Sequence, residues 1–189
     1  MRKIVALLLA CLGLSSCVPT PADQEAMQYV AAVEIPVESR EDKTALARLL
    51  SSLASSHQGL HVDDHSSRTA EHPGDTGALG LDQRLIPIIT IWRGDDDDQL
   101  VGTVSDLTNR GRVWVTFNKG PKPEMEGPFR EAALESIMKR WPDAKALPIL
   151  PGGGLPLPRD LVMTGQGYRI DRSQAEAYDL APDSDLLTD

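Results

Sequence analysis

Cysteine is scarce in this chain of 189 residues. Its two cysteines, Cys11 and Cys17, both lie close to the N-terminus, and residues 18–189 contain none. A disulfide within residues 18–189 is therefore impossible, whatever the redox state of the compartment. Cysteine-based zinc sites and thiol nucleophiles are excluded from that part of the chain for the same reason.

The common catalytic motifs are also missing. The chain contains no G-x-S-x-G elbow, no H-E-x-x-H pair and no dinucleotide-binding glycine loop. The three glycines at 152–154 are not followed by the Lys-Ser or Lys-Thr pair of a phosphate-binding loop. These absences predict a protein that is not an enzyme and uses no cofactor. A hydrolase with an unrecognised site is the alternative.

The N-terminus carries the features of an export signal. Arg2 and Lys3 precede an uncharged run of eleven residues, 4–14. A membrane-spanning helix needs about 20 apolar residues, so this run is too short to be one. Its length is typical of the apolar segment of a signal peptide.

The cysteine after this run has a specific setting. Residues 14–17, LSSC, resemble the lipobox of bacterial lipoproteins. The resemblance covers only the first 17 residues, and it implies that Cys17 receives a diacylglycerol and that the chain is cleaved just before it. Two alternatives are an ordinary secretory signal and a buried apolar strand with an incidental cysteine. An ordinary signal more often has a small-x-small cleavage site, and a globular start would not be followed directly by Pro19 and Pro21.

The lipoprotein resemblance predicts a location and the extent of the signal peptide, and the residue patterns after Cys17 divide the rest of the chain. Residues 1–16 would be the signal peptide, 17–26 the tether, 27–150 a folded domain and 151–189 a C-terminal arm. The protein would bind the membrane through its N-terminal lipid and face the periplasm of the bacterial envelope. Val18, where an aspartate would retain a lipoprotein at the inner membrane, favours the outer membrane. A binding or structural role beside an envelope protein partner is then expected.

The charge of the chain limits its partners further. Without Arg2 and Lys3 the mature chain has 17 basic against 28 acidic residues, a net charge of −11. Nucleic-acid binding depends largely on lysine and arginine contacts to phosphate, so no nucleic-acid partner is expected.

Two amphipathic helices are predicted from apolar residues at helical spacing. The first begins after Ser39, which stands three residues before Asp42 as in a capping box, and ends before Gly59. The second begins at Pro128 and ends at Pro142. The apolar stripes are Leu46, Leu49, Leu50 and Leu53 in the first helix, and Phe129, Ala133, Leu134, Ile137, Met138 and Trp141 in the second.

The remaining apolar runs predict strands at 27–37, 59–67, 84–92, 99–107, 112–118 and 145–150. Their order with the helices predicts an α+β domain, a two-layer sandwich with two helices on one face of a mostly antiparallel sheet. It resembles the ferredoxin-like arrangement with an added hairpin. The Pro- and Gly-rich arm that follows is expected to contain a hairpin at 165–167 and a short helix at 172–180.

All four histidines fall within residues 57–72. His61, Asp63 and His65 alternate along a predicted strand, and His57 precedes them at the end of the first helix. Imidazole and carboxylate are suitable ligands for zinc or copper, so a metal-binding lipoprotein using these four residues is a second hypothesis. His72 lies beyond, in a predicted loop.

Strand geometry favours the simpler interpretation of the histidine segment. Residues two apart on a strand are separated by about 6.6 Å, too far for three ligands to meet one ion without a bend. We therefore expect a solvated strand and no metal site. The four aspartates at 95–98 lack the pattern of an EF-hand and predict a solvated hairpin end instead of a calcium site.

Overall fold

The computed structural model describes residues 28–66, 85–94, 99–107, 111–120 and 123–189. The predicted signal peptide, the whole predicted tether with Cys17, His72 and the aspartates at 95–98 lie outside these ranges. Within them the elements are β1 (Tyr29–Pro36), α1 (Arg40–Ser55), β2 (Leu60–Asp64), β3 (Leu85–Arg93), β4 (Gln99–Leu107), β5 (Arg112–Asn118), α2 (Pro123–Arg140), β6 (Lys145–Ala146), β7 (Leu161–Thr164) and β8 (Gly167–Ile170).

The first six strands form one sheet in the order β2-β3-β4-β5-β1-β6, and every neighbouring pair is antiparallel. The fold is α+β, a two-layer sandwich, as predicted. In a ferredoxin-like sheet the first strand lies between the third and the last. Here β1 lies between β5 and β6, and the hairpin β3–β4 is inserted between β5 and β2. This is the expected added hairpin.

The main core lies between the two helices and one face of the sheet. Val33 and Ile35 of β1 stand opposite Val115 and Val113 of β5, and all four side chains are buried on this face. Burying each such side chain stabilises the fold by about 1.5–3 kcal/mol. The helices cover them with Leu46, Ala47, Leu50 and Ala54 of α1, and Phe129, Ala133 and Ile137 of α2.

Helix α1 begins where the sequence predicts. The Ser39 hydroxyl accepts a 3.0 Å hydrogen bond from the Asp42 amide and donates one of 2.7 Å to the Asp42 carboxylate. This arrangement satisfies one of the free amides at the helix start. At the other end, Gly59 adopts a φ of +76°, which lets the chain turn into β2.

Helix α2 begins five residues earlier than predicted, at Pro123, and Pro128 lies inside it. Both prolines suit a first helical position, and the predicted start at Pro128 is wrong. Glu124 and Glu126 in the first turn favour the earlier start, because carboxylates complement the positive end of the helix dipole. Pro128 costs only the backbone hydrogen bond to the Glu124 carbonyl, on an exposed side of the helix.

Several smaller predictions were also corrected. Strand β6 pairs over only Lys145 and Ala146, because the following prolines and glycines leave the sheet. The short helix expected at 172–180 is two single 3-10 turns. Met138, predicted in the core, is 45% exposed. By contrast, Pro87 coincides with the predicted irregularity in β3, and Gly111 adopts the predicted positive φ.

The C-terminal arm packs on the other face of the sheet. Leu155, Leu161 and Tyr168 of the arm contact a second buried cluster formed by Ala32, Leu107, Trp114 and Leu147. The hairpin β7–β8 is the one predicted at 165–167. The arm therefore covers sheet residues that a two-layer fold would leave exposed, and Glu34 of β1, expected on the open face, is buried there.

Candidate functional site

Residues 60–64 of the histidine segment form strand β2, as predicted. His61 and Asp63 are exposed residues of β2, opposite Trp92 and Thr90 of β3. His65 follows the strand, and its backbone amide donates a 2.7 Å hydrogen bond to the carbonyl of Ile88. Among the described residues, no group of three His, Cys, Asp or Glu side chains is placed to hold a metal ion.

His57 has a different environment from the other two described histidines. Its ring meets that of Phe129 edge to face, with centroids 5.5 Å apart. Its Nδ1 lies 2.8 Å from the carbonyl oxygen of Leu53, so Nδ1 donates to this carbonyl of the last helical turn, which also accepts from the amide and the hydroxyl of Ser56. His57 thus closes the end of α1 and packs against α2. The four proposed ligands are neighbours in sequence that the described structure does not bring to one point.

The structure instead reveals a buried carboxylate that the sequence analysis did not single out. Glu34 is only 4% exposed. Its Oε1 accepts hydrogen bonds from Arg112 Nη1 at 2.6 Å and from the Tyr168 hydroxyl at 2.5 Å, and its Oε2 accepts one from Trp114 Nε1 at 2.9 Å. We call these four residues the Glu34 cluster.

The electrostatics of the Glu34 cluster favour the ion pair. The hydrogen bond to Glu34 raises the pKa of the Arg112 guanidinium above its ordinary value, and the nearby carboxylate charge adds to this. A buried carboxylate is costly unless it is paired and hydrogen-bonded. Here a cation and two neutral donors occupy both oxygens, so the cluster is suited to holding the arm on the sheet.

One sequence feature pointed to the Glu34 cluster. Val113 and Val115 face the helices, so alternation places Trp114 on the opposite side, where an open sheet would expose a large aromatic residue to water. Such a residue indicates that something covers that face. The sequence alone could not identify Tyr168 as the cover, because it is 134 residues from Glu34.

A second buried ion pair joins the sheet to the start of α2. Arg93 Nε lies 3.3 Å from Glu126 Oε1, and both side chains are nearly inaccessible to water. Arg93 Nη1 also donates to the carbonyl of Gln58 at 3.3 Å. Within the described part of the chain, Glu126 Oε2 has no hydrogen-bond partner. A Cβ at Gly120 would lie only 1.6 Å from that oxygen, so position 120 must be glycine for the carboxylate to fit.

Two surface clefts that are lined by described residues bear on function. The larger, about 460 Å³, runs between the two helices, and we call it the inter-helix groove. It is lined by Arg48, Leu49, Ser52 and Leu53 of α1, and Ser136 and Arg140 of α2. The smaller, about 180 Å³, lies where β6 meets the arm and includes Tyr168 and Asp185.

Comparisons with known proteins identify no relative of this chain. No family model matches the chain, and neither a curated protein nor a solved structure is detectably similar to it. In the part of the chain that the structure describes, neither helix is both long and apolar enough to cross a membrane.

Proposed function

We propose that this protein is a bacterial lipoprotein anchored through Cys17, and that its folded domain is a non-enzymatic binding or structural module on the periplasmic side of the envelope. The observation that carries the proposal is the sequence LSSC at 14–17, directly after a cationic start and an uncharged run of signal-peptide length. Two or three acyl chains on Cys17 would bind a membrane nearly irreversibly, since each buried methylene contributes about 0.8 kcal/mol.

The position of the first strand supports a role close to the membrane. The first strand begins at Tyr29, twelve residues after Cys17. A fully extended chain spans at most about 3.6 Å per residue, so the domain would lie within about 40 Å of the lipid. The first strand is also an inner strand of the sheet, between β5 and β6. The tether would therefore connect to a firmly packed part of the fold.

The buried polar groups support a binding or structural role over chemistry. The Glu34 carboxylate binds three donors of its own chain, and the Arg93 guanidinium is directed to Glu126 and Gln58. A general acid or base must instead reach a substrate proton. Both clusters connect distant segments, so their chemistry is that of fold stabilisation.

Replacing Cys17 tests the anchor. In cells supplied with labelled palmitate, the wild-type chain should incorporate label and Cys17→Ser should not, because serine offers no thiol to acylate. The Cys17→Ser chain should also stay larger by the uncleaved signal segment. Cys11→Ser is the matched control, because it removes the other cysteine of the chain and should leave labelling intact. Label in Cys17→Ser would contradict the proposal.

Membrane separation tests the predicted location. The wild-type protein should travel with outer-membrane markers on a density gradient. Val18→Asp should move it toward the inner-membrane fraction, because aspartate after the acylated cysteine is the expected retention signal. Val18→Asn is the control that changes the side chain without adding the charge. Inner-membrane localisation of the wild type would contradict the outer-membrane part of the proposal only.

A further inference from the structure

We infer that the inter-helix groove binds an acidic, amphipathic segment of a partner protein. This inference deepens the proposed role as a binding module and names the chemistry of its partner. The groove is larger than the cleft where β6 meets the arm, and the two helices that form it belong to the same core. The binding surface is therefore pre-formed.

The floor of the groove is apolar. Of the four leucines in the α1 stripe, Leu46 and Leu50 are completely buried against the sheet. Leu49 and Leu53 are only partly buried and line the groove instead. Residues at i and i+4 form a continuous ridge along a helix, so these two leucines present one apolar row to the solvent side. Such a row suits the apolar face of an incoming helix.

The walls of the groove are cationic. Arg48 extends from α1 and Arg140 from α2, and the other polar residues of the described lining are Ser52 and Ser136. None of the described lining residues carries a carboxylate, in a chain with 28 acidic residues against 19 basic ones. The groove lining is therefore positively charged, whereas the protein as a whole is negatively charged.

Neither arginine is paired with an acid in the described part of the fold. For Arg48, the helical neighbours at three and four positions provide no carboxylate, because they are Thr44, Ala45, Ser51 and Ser52. Asp143 stands three residues after Arg140, but it lies beyond the end of α2 and forms no ion pair with Arg140 in the described structure. The Arg140 guanidinium lies 5.2 Å from the centroid of the Trp141 ring, a cation–π contact that limits its motion. Both guanidinium groups thus keep their hydrogen-bonding capacity for a ligand.

This combination selects a carboxylate-bearing peptide. Arginine forms paired hydrogen bonds with carboxylates, and such charge-assisted bonds are among the stronger ones in proteins. Two cations are too few for nucleic acid, which needs many phosphate contacts. An anionic bilayer would meet a domain with an overall negative charge, and a concave groove fits a ridge of side chains better than a flat surface.

The test uses the full chain purified in detergent and a synthetic helical peptide with leucines on one face and glutamates beside them. The peptide should bind, and a peptide with glutamine in place of each glutamate should bind much more weakly. Arg48→Gln with Arg140→Gln should weaken binding of the glutamate peptide by about tenfold or more. Arg40→Gln with Lys139→Gln is the matched control, since it removes one exposed charge from each of the same helices outside the groove lining.

A second pair of variants tests the position of the site. Ser52→Glu adds a negative charge to the groove and should reduce binding, whereas Ser55→Glu adds it to an exposed position of α1 outside the lining and should not. Equal binding by all variants, or no binding by the wild type, would overturn the inference. So would a groove that captures phosphatidylglycerol vesicles in an Arg48- and Arg140-dependent manner but ignores the peptide. Lipid labelling of Cys17 is measured separately, so failure of either proposal is recognised independently.

Discussion

The Tyr168 hydroxyl donates a 2.5 Å hydrogen bond to Glu34 Oε1, joining two residues that are 134 positions apart. Glu34 belongs to an inner strand of the sheet and Tyr168 to the hairpin of the C-terminal arm. The contact is a polar link between the arm and the sheet, and it lies beside the apolar cluster that includes Trp114. The arm is therefore part of the folded domain, held by both apolar packing and a shared carboxylate.

The first prediction concerns this link. Tyr168→Phe should lower the free energy of unfolding by about 1–2 kcal/mol, because it removes one donor from a buried carboxylate. Tyr29→Phe is the matched control, since the described structure shows no hydrogen bond from the Tyr29 hydroxyl and the change should cost about 0.5 kcal/mol or less. Urea unfolding followed by tryptophan fluorescence measures both, with Trp114 as a reporter inside the cluster.

Glu34→Gln extends the same prediction. The amide keeps the size of the side chain but leaves Arg112 without its ionic partner. The NH2 group of glutamine cannot accept a hydrogen bond, so it leaves at least one of the donors around Glu34 unpaired. We expect a loss of about 2–4 kcal/mol, less than for a fully buried pair because Arg112 is partly exposed to solvent. If both Tyr168→Phe and Glu34→Gln unfold at the wild-type urea concentration, the arm is not held by this cluster.

The second prediction concerns the stability of the arm at alkaline pH. The Tyr178 hydroxyl donates to Asp160 at 2.6 Å and accepts from the Leu157 amide at 2.9 Å. Burial, and next the hydrogen bond to Asp160, raise the pKa of Tyr178 above its ordinary value of 10.0. Above about pH 10 the folded chain therefore keeps a proton that the unfolded chain releases, and stability falls as the pH rises.

Tyr178→Phe isolates this effect from other alkaline titrations. The stability difference between the wild type and the variant should be constant below about pH 10 and shrink above it, because only the wild type loses the Tyr178 contribution. Hydrogen exchange over residues 155–180 should rise in the same pH range for the wild type. A difference that grows with pH would contradict the assignment.

Local signals in the sequence predicted much of the sheet and the first helix. Ser39, Gly59, Pro87 and Gly111 each act on the backbone within a few residues, so their consequences were readable without the fold. The start of α2 could not be read in the same way, because Pro123 and Pro128 are equally suited to the first helical position. When α2 begins at Pro123, Glu126 lies in its first turn and forms an ion pair with Arg93. This contact joins distant segments of the chain, so it cannot be read from local sequence.

The Glu34 cluster shows what the alternation of apolar residues along a strand cannot predict. Alternation correctly placed Glu34 opposite Val33 and Ile35, but it could not reveal that a later segment covers this face. The same limit applies to the inter-helix groove. The leucine stripe of α1 predicted a core face, whereas only the packing of α2 decides that Leu49 stays partly exposed beside Arg140.

The third prediction concerns the main core. Leu50 is completely buried between α1 and the sheet, so Leu50→Asp would bury an unpaired carboxylate at a cost of several kcal/mol. We expect loss of the cooperative thermal transition in circular dichroism. Ser55→Asp is the control, because it adds the same charge to an exposed position of the same helix and should leave the transition near its wild-type temperature. An unchanged melting temperature for Leu50→Asp would contradict the packing of α1.

The last prediction concerns the histidine segment. His61 is exposed on β2 and His65 is half-exposed beyond its end, and neither ring forms a hydrogen bond within the described part of the chain. His61→Ala with His65→Ala should therefore change the free energy of unfolding by less than about 0.5 kcal/mol. A bound metal would couple ligand deprotonation and site formation to stability, so a strong chelator should lower the melting temperature of a metal protein.

We expect a chelator to leave the melting temperature unchanged. The alternate side chains of β2 point to one solvent-exposed face of the sheet and not toward a common centre. His57→Ala is the informative comparison, since it removes the edge contact with Phe129 and the bond to the Leu53 carbonyl and should cost about 1 kcal/mol without any metal. Stoichiometric zinc or copper in the purified protein, lost together with His61 and His65, would contradict this prediction.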